Sequence, residues 1–599
     1  MVLEAGHAAV TRCPWRPFYG EMPGEIDYPN ITLHEVLAES ASTHPRRSVY
    51  DFLGHRRSYR SLLSEVKNLA QGLWALGVRP GHRVCTLLLN TPHTLVLLYA
   101  VNRIGAVLGV LDPDAGPRDV SHFLDDLQPQ WAVVTEEHVA GFQQLATGKS
   151  IRGVVVASLT DYASAGRVKR VLRLRRRHRL NLGGLRGTVG VSTSSVSGGS
   201  SYELPPTFSW LSMRKLGMRS DPVVDQCDLH SPDQCAVVLY TGGSTDRPHG
   251  VMLSDRNLDA AARQMQLQGP ILPGQKMLSV VPFFHGFGLS VSVHTAVVAG
   301  AETLILPHFT PRSIVKTFRR RRPEYLIGVP GFYAALLADR KFQRTRLSCL
   351  MGAFSGGDRI SSHLLDAFEM AVRNRGGAIR IREGYGLTET VAACVTSPEI
   401  NSQITGRSGG VGIPAPDTAL RVVRQDVSDE DLAELPPGEV GELCVSGPTV
   451  MLGYLNSAGA GRIVTEDGVR WLRTGDLGRM DEDGFVYFIE RMGRSVGSAG
   501  ETVHPGIVED ALNAHPEVKQ ACVTIQDVGG TLRVTAHVVS IDRDLDREWM
   551  ESTLREWCAQ ELDERCQPSS FVFSETLPHT RLGVVDYRRV AASVSSPRG

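Results

Sequence analysis

The run Leu239-Tyr-Thr-Gly-Gly-Ser-Thr-Asp-Arg-Pro-His-Gly-Val251 has the makeup of an anion-binding loop. Thr241, Gly242, Gly243, Ser244 and Thr245 are small enough for the backbone to close around a phosphate and aim N–H groups at it. The preceding Ala236-Val-Val-Leu-Tyr240 reads as a buried strand, so the loop sits at a strand end, where α/β proteins hold phosphates. No Gly-Lys-Ser/Thr closes it, which excludes a Walker loop. Three later segments add chemistry that suits a nucleotide. In Phe354-Ser-Gly-Gly-Asp358, Ser355, Gly356 and Gly357 permit close backbone approach. In Gly384-Tyr-Gly-Leu-Thr-Glu389, Tyr385 offers a flat ring on which a base can stack, followed by Gly386. In Trp471-Leu-Arg-Thr-Gly-Asp-Leu-Gly478, the Asp476 carboxylate can accept hydrogen bonds from both hydroxyls of a ribose.

These segments need a scaffold that brings strand ends together, and the hydrophobic pattern supplies one. Tyr59–Leu76 has a helical period, Arg83–Leu89 reads as a strand, a helix runs from about Thr94 to Gly105, and Val107–Leu111 is a second strand. Such alternation predicts a parallel or mixed sheet with helices on its faces. A second regular block runs from Asp233 to about Arg479, with strands at Thr303–Leu306 and from Tyr325 and a helix over Pro311–Arg322. Near Arg491 the style changes to short strands, a helix over Gly506–Ala514, and strands near Ala521 and over Thr531–Val539. The reading is an α/β (α+β mixed) protein: a large domain of layered sheets and helices over 1–490, and a small α+β domain over 491–599.

Residues 160–222 read as an insertion in the large domain. Arg167–Arg179 carries eight basic residues around Val168, Val171 and Leu172, and a Gly/Ser-rich stretch follows from Gly183 to Ser201. A basic amphipathic helix of this kind can lie on an anionic membrane; the plainer alternative is a solvated insertion.

Composition narrows the class. With 42% hydrophobic and 21% charged residues in a 599-residue chain of zero formal net charge, it has a globular enzyme's makeup and no global basic charge for nucleic acid. The ten cysteines are scattered singly, which argues for a reducing compartment and against a zinc site. No stretch reaches eighteen uninterrupted apolar residues, and Met1–Arg12 lacks the apolar core of a signal peptide, so the expected location is the cytoplasm.

From about Thr32 to Val590, six ordered motifs resemble the adenylate-forming superfamily of acyl-CoA ligases, peptide-synthetase adenylation domains and luciferases. They are the glycine-rich loop, Pro282-Phe-Phe-His-Gly-Phe-Gly288, Phe354–Asp358, Gly384–Glu389, Gly438–Pro448 with Gly453-Tyr454, and Trp471–Gly478. The resemblance implies ATP and Mg²⁺ as cofactors, with a small-molecule acid and a nucleophilic acceptor as partners, and leaves the use of CoA open. It implies that Thr388 bonds the α-phosphate, Glu389 holds Mg²⁺, Arg491 belongs to the nucleotide site and His285 gates the acyl pocket. It also implies a mobile small domain, and a structural rather than chemical role for Gly438–Pro448 and Tyr454.

Several positions depart from the family pattern. Asp246 and His249 stand where the loop usually has glycine and lysine. In Pro578-His-Thr-Arg-Leu-Gly-Val584, Val584 stands where the family has a lysine that bridges the acid and the α-phosphate, and Arg581 lies three residues before it. Gly493 occupies the usual place of a charged hinge residue, while Arg491 and Gly500 are kept. None of the eight lysines (67, 149, 169, 215, 276, 316, 341 and 519) falls in a motif. Three readings follow: an adenylate-forming enzyme of specialised metabolism such as an ATP- and nitrite-dependent diazotase of an arylamine, which is narrowly favoured; a fatty or aryl acyl-CoA ligase with a rewired site; and a non-catalytic ATP-binding scaffold.

Overall fold

Strand and helix patterns that alternate in sequence become layers in space. The computed structural model describes residues 13–163, 166, 204–220, 230–241, 248–307, 310–398, 410–425, 432–457, 462–494, 496–498, 501–528, 531–542, 546–579 and 585–594. Among them, an eight-stranded sheet has at its middle the parallel strands Val107–Leu111, Arg83–Leu87, Trp131–Thr135 and Gly153–Ala157. Cys235–Tyr240 extends it in parallel, and Gly250–Ser254 and Gly453–Tyr454 follow antiparallel. A nine-stranded sheet runs from Ile413–Pro414 through Ala393–Thr396, Ile381–Gly386, Gly352–Gly356, Tyr325–Gly328, Lys276–Ser279 and Glu302–Ile305 to the hairpin Ser48–Phe52 and His55–Ser58. Helix Pro92–Arg103 is buried over 92–102 because Leu95 to Val101 are apolar on every face, and it lies in the core shared by the two sheets. A third sheet is made of Ala419–Val423, Gly441–Ser446, Val469–Met480, Ile463–Glu466 and Val486–Arg491. The small C-terminal domain pairs the long hairpin Val518–Val528 and Thr531–Ser540 with Ser570–Phe573, and packs helices Pro505–Ala514 and Arg547–Glu561 on it.

The structure corrects the extent of the expected insertion. Thr207–Ser209 pairs in parallel with Val154–Val156, which makes it the edge strand of the eight-stranded sheet. Helix Trp210–Gly217 then crosses Tyr59–Ala75 so closely that a Cβ on Gly217 would stand 1.8 Å from Asn68 O, and one on Gly72 2.2 Å from Met213 O. Fully buried Trp210 donates to Tyr162 Oη at 3.1 Å, Tyr162 donates to buried Glu65, and Arg214 pairs with that carboxylate at 3.2 Å. The hydrophobic signal of Phe208-Ser-Trp-Leu-Ser-Met213 therefore belongs to the domain, not to an insertion. The basic run 167–179 and its membrane expectation lie outside the described residues. No helix among the described residues is long and apolar enough to cross a membrane.

The glycine crossing predicts a sharp asymmetry. Gly217→Ala forces two helix backbones apart and is expected to destabilise the protein by about 1–3 kcal/mol. Gly141→Ala lies on an exposed helix face with open space around it and is expected to be neutral, or stabilising by up to about 1 kcal/mol. Denaturant unfolding of the two variants checks both signs.

Candidate active site

Parallel strands Tyr325–Gly328, Gly352–Gly356 and Ile381–Gly386 end at one edge of the nine-stranded sheet. Register sets Ser355 beside Glu383 and Gly356 beside Gly384. Gly356 lies against the Phe287 ring, whose nearest atoms are 3.5 Å from the place a Cβ would take, and Gly357 turns the chain at φ 83°. Ser355 Oγ is buried with no hydrogen-bond partner among the described residues. An unpaired buried hydroxyl costs about 1–3 kcal/mol, so a strand end that keeps one is suited to a bound polar group.

Beyond Tyr385 and the exposed Gly386, the chain makes a single tight turn over Thr388–Thr390. Val391 follows at φ 66°, ψ −55°, and the Ala392 N–H donates to Thr390 O at 2.7 Å. This is a γ-turn of the strained kind, carried on a β-branched residue. It is braced from behind by Pro282–Gly288: a Cβ on Gly286 would stand 1.7 Å from Val391 O, so only glycine allows the approach. The turn displays a half-buried Thr388 and a buried Glu389. Glu389 is anchored twice, by the Met451 N–H on its carbonyl at 2.8 Å and by Tyr454 Oη, which donates to Oε1 at 2.6 Å. Oε2 accepts no hydrogen bond among the described residues, which leaves one carboxylate oxygen of the kind that suits a hard divalent cation.

Asp476 and Arg491 face each other as register partners on antiparallel strands. Asp476 is 1% exposed; Tyr385 Oη donates to Oδ2 at 2.9 Å, and Oδ1 lies 3.2 Å from Arg491 Nε without a hydrogen bond. Burial pushes its carboxyl up to about 6 against the pull of the Arg491 guanidinium. Arg491, half-exposed, is held in its charged form chiefly by Asp476, with Glu389 adding to the effect. The Thr474-Gly-Asp turn is fixed from below: Glu442 accepts from the Gly475 N–H at 2.8 Å and pairs with buried Arg473 at 2.7 Å. Tyr385 is placed differently from a free stacking platform, because one face already stacks on Phe488 at 5.6 Å and its hydroxyl is engaged by Asp476.

At the glycine-rich loop, the Thr241 N–H donates to His249 O at 3.1 Å and the His249 N–H returns to Thr241 Oγ1 at 3.0 Å, a clamp that closes the loop's base. Gly242, Gly243, Ser244 and Thr245 lie outside the described residues. The structure thus brings Tyr385, Asp476, Arg491 and Glu389 together, sets Ser355–Gly357 on the neighbouring strand, and reaches Thr241 through His249. It does not bring His285 into that cluster; His285 precedes the π-helix Phe287–His294, and burial pulls its imidazole down to about 4, so it is neutral at pH 7. Sequence reasoning missed Tyr454 as a site residue, because its partner Glu389 is 65 residues away and only the fold joins them.

The small domain closes over the same edge. Asp358 accepts from the Arg359 N–H at 2.9 Å and from the Val585 N–H, and Arg359 pairs with Asp510 on helix Pro505–Ala514. Burial pushes the Asp358 carboxyl up to about 6. At the root of the domain Glu490 pairs with His504 at 2.9 Å and accepts from the Gly506 N–H at 3.1 Å. Gly493 lies between them at φ 92° with open space around it. Arg581, Val584 and Gly500 lie outside the described residues.

Tyr385 and Glu389 beyond the end of a parallel strand, Asp476 and Arg491 on a neighbouring antiparallel pair, and a small second domain beside them make an α/β protein with a polar cluster near the junction of two domains. The chain belongs to the AMP-binding enzyme family: residues 37–455 match it, and residues 507–583 match the AMP-binding enzyme C-terminal domain. It is similar to the long-chain-fatty-acid–CoA ligase of Bacillus subtilis (strain 168), 28% identical over 585 residues that cover 96% of this chain and 97% of that protein. It is 27% identical to the feruloyl-CoA synthase of Amycolatopsis sp over 89% of this chain and 93% of the relative. The fold matches the ATP-bound crystal structure of MatB from Rhodopseudomonas palustris with a TM-score of 0.76 at 23% identity, covering 95% of this chain and 99% of MatB. The chain is accordingly an ATP-dependent adenylate-forming ligase.

Asp476 gives the site a pH dependence of definite sign. Its raised carboxyl favours the folded state when protonated, a contribution present below about pH 4 and lost as pH rises through about 6. The expected acceptance from two ribose hydroxyls is strongest in the opposite, ionised form, in which both oxygens are acceptors. Adenosine affinity, measured by calorimetry, is expected to fall as pH drops through 6, and Asp476→Asn is expected to bind weakly and without that pH dependence.

Proposed function

We propose that the protein activates a carboxylic acid with ATP. A carboxylate oxygen attacks the α-phosphorus, the bond to the bridging oxygen breaks, pyrophosphate leaves, and an acyl adenylate remains for a nucleophile to consume. The observation that carries this reading is the joined set Tyr385–Asp476–Arg491–Glu389 at the strand ends, with the Val585 N–H of the small domain on Asp358 beside it. In this reading Tyr385 and Asp476 hold adenosine, Ser355–Gly357 border the base, and Gly386 and Thr388 flank the α-phosphate. Thr241 to Thr245 cradle the outer phosphates, and His285 lines the entrance for the acid. Glu389 holds Mg²⁺, which offsets phosphate charge, and the Arg491 cation stands next to both Asp476 and Glu389. The boundary between the domains is placed near Arg491, with Gly493 as the pivot. Similarity to fatty- and aryl-acid CoA ligases supports a carboxylate as the acid and CoA as the acceptor.

One observation favours a second reading. Val584 and His249 stand where the resemblance expects lysines, and a valine neither carries charge nor donates a hydrogen bond. An enzyme that activates nitrite and hands it to an arylamine needs no thiol channel, so the same nucleotide site suits ATP-dependent diazotisation.

The deciding measurement is AMP release from ATP and Mg²⁺ across a panel of fatty and aryl acids with CoA, and nitrite with arylamines, for the wild type and Val584→Lys. Acid-dependent AMP release is expected. Val584→Lys is expected to accelerate it for carboxylates by up to on the order of 10²–10³, the effect of one preorganised contact. AMP formed only with nitrite and an amine assigns the second reading. ATP binding with no AMP from any acid, in either protein, overturns both in favour of a scaffold.

A further inference from the structure

Tyr454 is buried, 9% exposed, and its hydroxyl spends its one proton on Glu389 Oε1 at 2.6 Å. Nothing in the catalytic reading above uses it. Its placement is set by the eight-stranded sheet, in which Tyr454 is the register partner of Val251 and Gly453 of Met252. Val251 is two residues past His249, where the glycine-rich loop returns to the sheet, and the His249 and Tyr454 rings lie 5.6 Å apart. The same short strand therefore touches the end of the phosphate loop and the carboxylate on the strained turn. The neighbouring Met451 N–H holds the Glu389 carbonyl, so backbone and side chain of residue 389 hang from one segment, 451–454. That segment is itself pinned by Asn257, whose amide donates to Pro448 O at 2.7 Å and Val450 O at 3.0 Å.

We propose that Tyr454 is the positioning residue for the metal-binding carboxylate: its hydroxyl occupies Oε1 of Glu389, fixes the carboxylate plane, and leaves Oε2 as the single oxygen offered to the divalent ion of ATP. This rests on the reading of Glu389 as the Mg²⁺ residue. The chemistry suits the ion, because Mg²⁺ demands near-ideal octahedral geometry and keeps most of its waters, so one well-aimed oxygen serves it better than two loose ones. Partners that orient a ligating carboxylate change metal affinity by about 10–100-fold when removed. His249 enters as the link to the loop. A shift of Tyr454 displaces the loop's exit and the carboxylate together, which keeps phosphate and metal in register.

The test measures Mn²⁺ binding by electron paramagnetic resonance in the presence of a non-hydrolysable ATP analogue, and binding of the analogue alone in chelator. Wild type, Tyr454→Phe, Glu389→Gln and the double variant are compared, with thermal unfolding to establish that each is folded. Tyr454→Phe is expected to weaken Mn²⁺ binding about 10-fold or more while metal-free nucleotide affinity stays within about 2-fold. The double variant is expected to lose no more than Glu389→Gln alone, because Tyr454 acts through that side chain. Loss of metal affinity in Glu389→Gln but not in Tyr454→Phe overturns the role of Tyr454. So does a Tyr454→Phe loss that appears equally without metal, or that adds in full to that of Glu389→Gln. Wild-type Mn²⁺ affinity in Glu389→Gln overturns the metal reading itself and the inference with it.

Discussion

One buried carboxylate joins the parts of this protein that chemistry requires to be adjacent. Asp476 belongs to the third sheet, Tyr385 to the nine-stranded sheet, and Arg491 to the last strand before the small domain, and all three meet at its two oxygens. A carboxylate 1% exposed is tolerable only while it is paired, since removing one partner of a buried charge costs about 3–5 kcal/mol. The pairing ties the strand that presents the Tyr-Gly-Leu-Thr-Glu389 turn to the strand that leads into the small C-terminal domain. Structural integrity and the proposed nucleotide site therefore draw on the same atoms.

Around that point the site is assembled by backbone proximity more than by side-chain reach. Gly286 lies against the carbonyl of Val391, and the γ-turn at Val391 holds Glu389 where Tyr454 can bond it. A β-branched residue at φ 66° persists because the surroundings over-determine it: Pro282–Gly288 behind, and the Met451 N–H on the neighbouring carbonyl in front. The result is a residue held at both its backbone and its side chain by one segment, 451–454.

The two halves of the site differ in character. One is dense with paired groups: Tyr385 on Asp476, Asp476 beside Arg491, and Tyr454 on Glu389. The other, leading into the π-helix Phe287–His294, carries the Phe284 and His285 rings 5.7 Å apart, with a neutral imidazole. The small domain meets the large one through charge, with Arg359 on Asp510 and Asp358 on the Val585 N–H, and through the Gly506 N–H on Glu490. Contacts of this kind form and break with little loss of apolar burial.

The sequence by itself determined the layered α/β architecture, the small C-terminal domain and most of the elements that frame the site. The helical periods at Tyr59–Ala75, Pro311–Arg321 and Pro505–Ala514 and the short apolar run Val107–Leu111 are local, and burial of a helix face or of a whole strand enforces them. It also determined which residue types stand ready for a nucleotide, because a Gly/Ser/Thr loop, an aromatic-Gly motif and a Thr-Gly-Asp turn are written in consecutive residues. What only the tertiary structure decided are the long-range pairings. The edge strand Thr207–Ser209 and the Gly72–Gly217 crossing emerged from a stretch whose basic and Gly/Ser-rich neighbours masked it. The Tyr385 hydroxyl chose Asp476, 91 residues away, and Tyr454 chose Glu389, because burial leaves a tyrosine hydroxyl no water to bond and sheet register selects which carboxylate is within reach.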